Sequence, residues 1–148
     1  MQVKEIMTNS IAVISPDATL KEATVMMKYL DFGALLVTES RVVLGLITAY
    51  DVTIAGVIRG CKLSDTSIRE VMKDNPDFCF EDQDIEETAR FMKEGQISHL
   101  LVINRNKLLV GILSFVDIGG SVGNKQAKRV FKLNLGAANV FFSSMATN

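Results

Sequence analysis

Apolar positions recur along the chain in two rhythms that alternate. Leu20, Ala23, Met27 and Leu30 lie three or four residues apart, the spacing of one helix face, with Asp17 or Thr19 as the cap at its start. Short apolar runs surround this helix. Residues 11–14 precede it; residues 34–38 and 42–47 follow it, joined by the polar turn Glu39-Ser40-Arg41, which is short enough for a hairpin. A further helix begins at Thr48. The same grammar returns downstream. Residues 78–80 precede a helix with Ile85, Thr88, Ala89 and Met92 on one face. Residues 100–103 and 108–113 flank the turn Asn104-Arg105-Asn106-Lys107, and another helix begins at Ser114. The pattern predicts a β-α-β-β-α unit twice over.

The residues themselves repeat. Val3-Lys4-Glu5-Ile6-Met7-Thr8 returns 65 positions later as Ile68-Arg69-Glu70-Val71-Met72-Lys73. At that offset Leu20 meets Ile85, Glu22 meets Glu87, Met27 meets Met92, and residues 35–37 meet residues 100–102. One inserted residue later, residues 45–51 meet residues 111–117. A single unit leaves one sheet face open, whereas two units packed sheet against sheet bury both. The link Arg59-Gly60-Cys61-Lys62-Leu63-Ser64-Asp65 is too short to let them drift apart. The expectation is an α+β, pseudo-two-fold domain with its first repeat over residues 1–62 and its second over residues 63–119.

Residues 120–148 form a basic tail. Lys125, Lys128, Arg129 and Lys132 give it a charge of +4 against −5 for residues 1–119. Ala127, Val130, Phe131 and Asn134 have helical spacing, and Val140-Phe141-Phe142 is apolar. The tail reads first as a partly helical segment docked on the domain or on a partner chain. A membrane-surface or nucleic-acid contact, or a fusion remnant, are the lesser readings.

Composition narrows the function classes. A chain of 148 residues, 48% of them hydrophobic, is long enough for a real core without staples. Net charge −1 argues against a dedicated nucleic-acid binder. The single His rules out a zinc site that needs two. Cys61 and Cys79 form no metal-binding pair and read as reduced, buried thiols. With no run of 18 apolar residues and no signal-peptide core at the start, the expectation is a soluble, cytoplasmic protein.

Catalytic constellations are scarce. No phosphate-binding glycine loop is present, and His99 has no nucleophile at a motif position. Glu81, Asp82, Asp84, Glu86 and Glu87 cluster at a helix start, where they complement the helix dipole. The chain reads as a non-enzyme that requires no cofactor. Its informative motif is G-x-x-[ST]-x-x-D at the end of a strand, present as Gly45, Thr48, Asp51 and as Gly111, Ser114, Asp117. As a capping box, such a pair satisfies backbone N–H groups without any ligand. It also suits a nucleotide. Free N–H groups and a hydroxyl attract phosphate, and a carboxylate accepts hydrogen bonds from a ribose diol. The glycines either admit a close backbone neighbour or bend the strand.

The tandem units, the leading V-x-E-I-M-T phrase and the paired G-h-h-[ST]-x-x-D strings resemble a pair of CBS domains, the Bateman module, over roughly residues 3–119. The resemblance implies two sheets packed face to face and two clefts for adenosine compounds: AMP, ADP or ATP, in some members NAD or S-adenosylmethionine. It implies pairing into a disc-shaped homodimer and regulation of a partner protein. In one cleft Asp117 would hold the ribose hydroxyls, Ser114 would face the phosphate side and His99 would donate to phosphate. Ser10, Ala12, Phe32, Gly33 and Ala34 would supply the adenine wall and backbone contacts, although Phe32 also suits the core. The other cleft would use Thr48 and Asp51 with Asp77, Cys79, Ile97 and Ser98. There Asp77 adds negative charge, and Arg41, Lys107 and the tail lysines are the cations available to reach in. A regulatory nucleotide-binding module is the leading reading. The alternative is a dimerisation scaffold whose motifs are only caps and whose basic tail is the working surface.

Overall fold

Hydroxyl and carboxylate caps set the start of each long helix in the computed structural model, which describes residues 1–120 and 141–142. Thr19 rather than Asp17 caps α1 (Leu20–Leu30): its Oγ1 accepts the Glu22 N–H at 3.1 Å while Glu22 accepts the Thr19 N–H at 2.8 Å. Asp84 caps α3 (Ile85–Glu94) by accepting the N–H groups of Glu86 and Glu87. Leu20, Ala23, Met27 and Leu30 of α1, and Ile85, Thr88 and Met92 of α3, are buried as the spacing predicts.

In the first repeat β1 (Val13–Ile14) runs parallel to β2 (Ala34–Glu39), which pairs antiparallel with β3 (Val42–Thr48). Helix α2 (Ala49–Thr53) follows and runs into a π-helical turn, Ile54–Ile58. In the second repeat β5 (Phe78–Phe80) is parallel to β6 (His99–Ile103), which pairs antiparallel with β7 (Leu109–Ser114), and α4 (Phe115–Gly120) follows. Even the register shifts match, at Val37/Thr38 and Val102/Ile103.

The apolar strand runs are continuous because both faces of each sheet are covered. Leu35, Val37 and Ile47 face α1, while Ala34, Leu36, Val43 and Leu46 meet Leu101, Ile103, Leu109 and Ile112 between the sheets. Leu100, Val102 and Leu113 face α3.

Each leading phrase docks on the other repeat. Val3 and Lys4 donate backbone N–H bonds to Gln83 and Glu81, and Thr8 pairs with Ile112 of β7. Ile68 and Arg69 donate to Ala18 and Pro16, and β4 (Lys73–Asp74) pairs with Gly45 and Leu46 of β3. This exchange decides between the two roles left open for the motif glycines. A Cβ on Gly45 would sit 2.6 Å from the Lys73 carbonyl, and one on Gly111 would sit 2.9 Å from the Thr8 carbonyl. Both glycines admit the other repeat's backbone.

From the tail, Phe141–Phe142 forms β8, parallel to β3 at Val42 and Val43. The helical spacing expected at Ala127, Val130, Phe131 and Asn134, and the tail's four basic residues, lie outside the described residues.

Candidate functional site

Strand register brings the motif residues together. Ala34 lies opposite Thr48, and His99 opposite Ser114, so the start of one strand adjoins the end of its neighbour in each repeat. The turn before each strand then holds the following helix: Gly33 accepts the Ala49 N–H at 2.9 Å and Ser98 accepts the Phe115 N–H at 3.0 Å. Both motifs are complete capping boxes. Asp51 Oδ2 accepts the Thr48 N–H at 2.9 Å, and Thr48 Oγ1 accepts the Asp51 N–H at 3.2 Å. The second copy repeats this with Asp117 and Ser114 at 2.9 and 3.1 Å. Among the described residues, Oδ1 of either carboxylate takes no hydrogen bond, so capping and acceptance of a hydroxyl are compatible.

His99 stands where the two repeats meet. It is half-buried, and its Nδ1 lies 3.0 Å from Ser98 Oγ. Burial pushes its pKa below the usual 6.5, while Asp117 of its own repeat and Asp51 of the other pull it upward. Its counterpart in the first repeat is Ala34, sealed between the sheets. The pseudo-symmetric halves therefore differ at one position that both motif carboxylates act upon.

The first-repeat residues expected at the Asp117 cleft are placed as follows. Ser10 is half-buried. Ala12 turns its methyl into the α1-side core, and its carbonyl already accepts the Leu36 N–H at 2.8 Å. Phe32 packs against both the α1-side and inter-sheet cores, in keeping with a core role. Gly33 is exposed, with its carbonyl held by Ala49. Phe32 and Gly33 do line a groove of about 360 Å³ between α1 and α2, together with Lys28, Asp31 and Val52.

The residues expected at the second cleft lie as follows. The charge of Asp77 is matched, because Lys73 Nζ lies 2.9 Å from its carboxylate; their four-residue separation was the available signal. Cys79 does not line a cleft with its thiol. It packs with Val3, Ile6 and Met7 on the α3 side of the sheet, and burial pushes its pKa up to about 12. Arg41 and Lys107 sit in the hairpin turns, at the ends of β3 and β7 opposite Thr48 and Ser114. Seven residue steps, from Arg41 to Thr48 and from Lys107 to Ser114, put roughly 23 Å between those ends. Ile97 is half-buried against the α3-side core, and Ser98 is exposed beside His99.

Part of the expected phosphate cradle is already engaged. At the start of α2 the N–H groups of Ala49 and Asp51 are taken, and at α4 those of Phe115 and Asp117. The helices have only five and six residues, and so little dipole. The acidic cluster before α3 is structural too: Asp84 caps the helix, and Asp82 takes Arg105 through two hydrogen bonds of 3.0 and 2.8 Å. Among the described residues no helix is long and apolar enough to cross a membrane, and no His, Cys, Asp and Glu group is placed to hold a metal ion.

Two β-α-β-β-α repeats closed sheet to sheet, with exchanged leads and paired capping boxes at their junction, define a tandem-repeat module. The chain belongs to the CBS-domain family, whose model matches residues 3–57 and 68–118. A CBS domain-containing protein of Bacillus subtilis, YhcV, is 31% identical over 120 residues, covering 78% of this chain and 81% of that one. The CBS-domain protein ATU1752 of Agrobacterium tumefaciens has a crystal structure that superposes with a TM-score of 0.76 at 25% identity, covering 82% of this chain and 99% of that one. The CBS domain pair of MJ0100, solved with 5′-methylthioadenosine and S-adenosylmethionine, gives a TM-score of 0.73 at 22% identity over 83% of this chain and 96% of that one.

Proposed function

We propose that this chain is a non-catalytic regulatory module, cytoplasmic and homodimeric. An adenosine compound drawn from AMP, ADP, ATP, NAD or S-adenosylmethionine binds between its repeats and shifts their arrangement, and a partner protein reads that shift. The observation that carries the reading is the pair of carboxylates, Asp51 and Asp117, each with Oδ1 unengaged among the described residues and both acting on His99 at the repeat junction. The adenosine complex of the MJ0100 domain pair supports ligand binding by such a module in general. Exposed apolar side chains on the helices, Tyr29 of α1, Tyr50 of α2, and Val57 and Ile58 of the π turn, support a second copy as the helix-side neighbour.

The completeness of both capping boxes favours a second reading, a dimerisation scaffold in which the motifs do nothing but cap. Thermal shift with the five compounds separates the two. A ligand at about 100 times its dissociation constant stabilises the native state by ~2.7 kcal/mol, a rise of roughly 5–10 °C for a domain of this size. Asp117→Ala costs a pure cap about 0.5–2 kcal/mol and leaves ligand response as it was. In a binding site it abolishes that response. No shift with any compound sinks the regulatory reading.

A further inference from the structure

The outer edge of β3 is covered by two segments in turn. β4 pairs with Gly45 and Leu46, and β8 pairs with Val42 and Val43. The register of β4 explains why it stops. Continued antiparallel past Asp74, it would set Asn75 opposite Leu44 and Pro76 opposite Val43. Asn75 instead turns into the left-handed region at φ 47°, and Pro76 has no N–H to give to a ladder. The rest of the edge falls to a segment from elsewhere in the chain.

That part of the edge is held firmly. Val42 and Val43 pair on their other side with Glu39 and Thr38 of β2, and Val43 is buried between the sheets. The seat is a fixed stretch of strand that offers main-chain hydrogen bonds beside an apolar core. Phe141–Phe142 fills it as a parallel strand of two residues. The run Val140-Phe141-Phe142 is uncharged and strand-favouring, and twenty residues separate it from Gly120. So short a ladder holds few hydrogen bonds, and main-chain pairing does not depend on which chain supplies the strand.

We propose that the Val42–Val43 edge is a strand-addition site for a partner protein. It takes an extended, uncharged segment with two adjacent aromatic residues, and the chain's own Phe141–Phe142 is the occupant that such a segment displaces. Until then the tail keeps the edge from pairing indiscriminately. The seat lies at the end of β3 remote from Thr48 and needs no ligand in the clefts.

A labelled peptide of residues 138–145, Ala-Asn-Val-Phe-Phe-Ser-Ser-Met, tests this by fluorescence anisotropy against the full chain and its Phe141→Ser, Phe142→Ser double variant. In the wild type the tethered tail competes at an effective concentration of order millimolar, so the variant is expected to bind the peptide on the order of tenfold or more tightly. Amide NMR of the variant is expected to show the peptide shifting Val42 and Val43. The peptide with both Phe replaced by Ser is expected to lose binding. No binding to the variant, equal affinity for the two chains, equal binding of the two peptides, or unmoved Val42 and Val43 amides overturns the proposal. So do wild-type dimers that light scattering shows falling to monomers in the variant, because they put a second copy's tail in the seat.

Discussion

Replacing Gly45 by Ala tests whether the motif glycine serves architecture or ligand. The new Cβ would lie 2.6 Å from the Lys73 carbonyl oxygen and 3.0 Å from Met72 Sδ. The methionine sulfur ends a flexible chain and can yield. The carbonyl is backbone, held in the β3–β4 pairing at Gly45 and Asp74, so relief requires β4 to move off β3. Overpacking of this kind costs about 1–3 kcal/mol. At roughly 2–4 °C per kcal/mol for a chain of this length, Tm falls by about 2–12 °C. Gly33→Ala is the control, since its Cβ would meet only the Ala49 Cβ at 3.6 Å, an ordinary contact; a change within about 0.5 kcal/mol is expected. Thermal unfolding by circular dichroism reads both, and the rise with a bound adenosine compound is expected to survive in Gly45→Ala. A Tm for Gly45→Ala as close to wild type as that of Gly33→Ala would refute the close-approach account. Loss of the ligand increment at unchanged Tm would instead move the glycine into the binding site.

Three further outcomes follow from the packing and charges. Ile68→Ala, which empties a fully buried position where the second repeat's lead docks in the first repeat's core, should cost about 2–5 kcal/mol in urea unfolding; less than about 1 kcal/mol would deny that the exchanged leads hold the fold. The His99 imidazole should titrate by NMR below its usual 6.5, because burial outweighs Asp117 and Asp51. Its folded pKa being lowered, the unfolded chain takes the proton first, so stability is unaffected above about pH 6.5 and declines as pH falls below it; His99→Gln should flatten that acid-side decline, and a midpoint above 6.5 would refute the burial argument. The Cys79 thiol, raised to about 12 by burial, should resist thiol reagents in the native state while half-buried Cys61 reacts first. Because the unfolded thiol ionises near pH 9 and the folded one does not, Cys79's contribution to stability is intact below that pH and is lost as pH rises from about 9 toward 12. Equal reaction rates for the two thiols would place Cys79 outside the core.

The capping boxes were legible because their parts are local. The [ST]-x-x-D spacing of Thr48 with Asp51 and of Ser114 with Asp117 specifies a capping box, and both boxes form. Which N–H groups of that box stay open to a ligand is not set by local spacing. The N–H groups of Ala49 and Phe115 are claimed by carbonyls of the turns at Gly33 and Ser98, partners fifteen or more residues earlier in the chain. The direction of the Cys79 side chain was not legible for a related reason. In a strand buried on both faces, neighbours of either orientation are apolar, so the alternation that would assign Cys79 to the α3 side is absent from the sequence.

The sequence by itself determined the duplication, the order of elements, the apolar faces of α1 and α3 and the capping of α2 and α4. Each depends on residues at most a few positions apart, or on one unit matching another 65 or 66 positions away. Tertiary structure alone decided which repeat each leading phrase completes, what the motif glycines admit, and how charge is distributed about the junction. Those are distances between segments remote in sequence. The Lys73 carbonyl reaches Gly45 only after the leads exchange, and Asp51 acts on His99 only once the two sheets have packed. Close approach and Coulomb interaction depend on separation in space, which the chain acquires by burying its two sheet faces against each other.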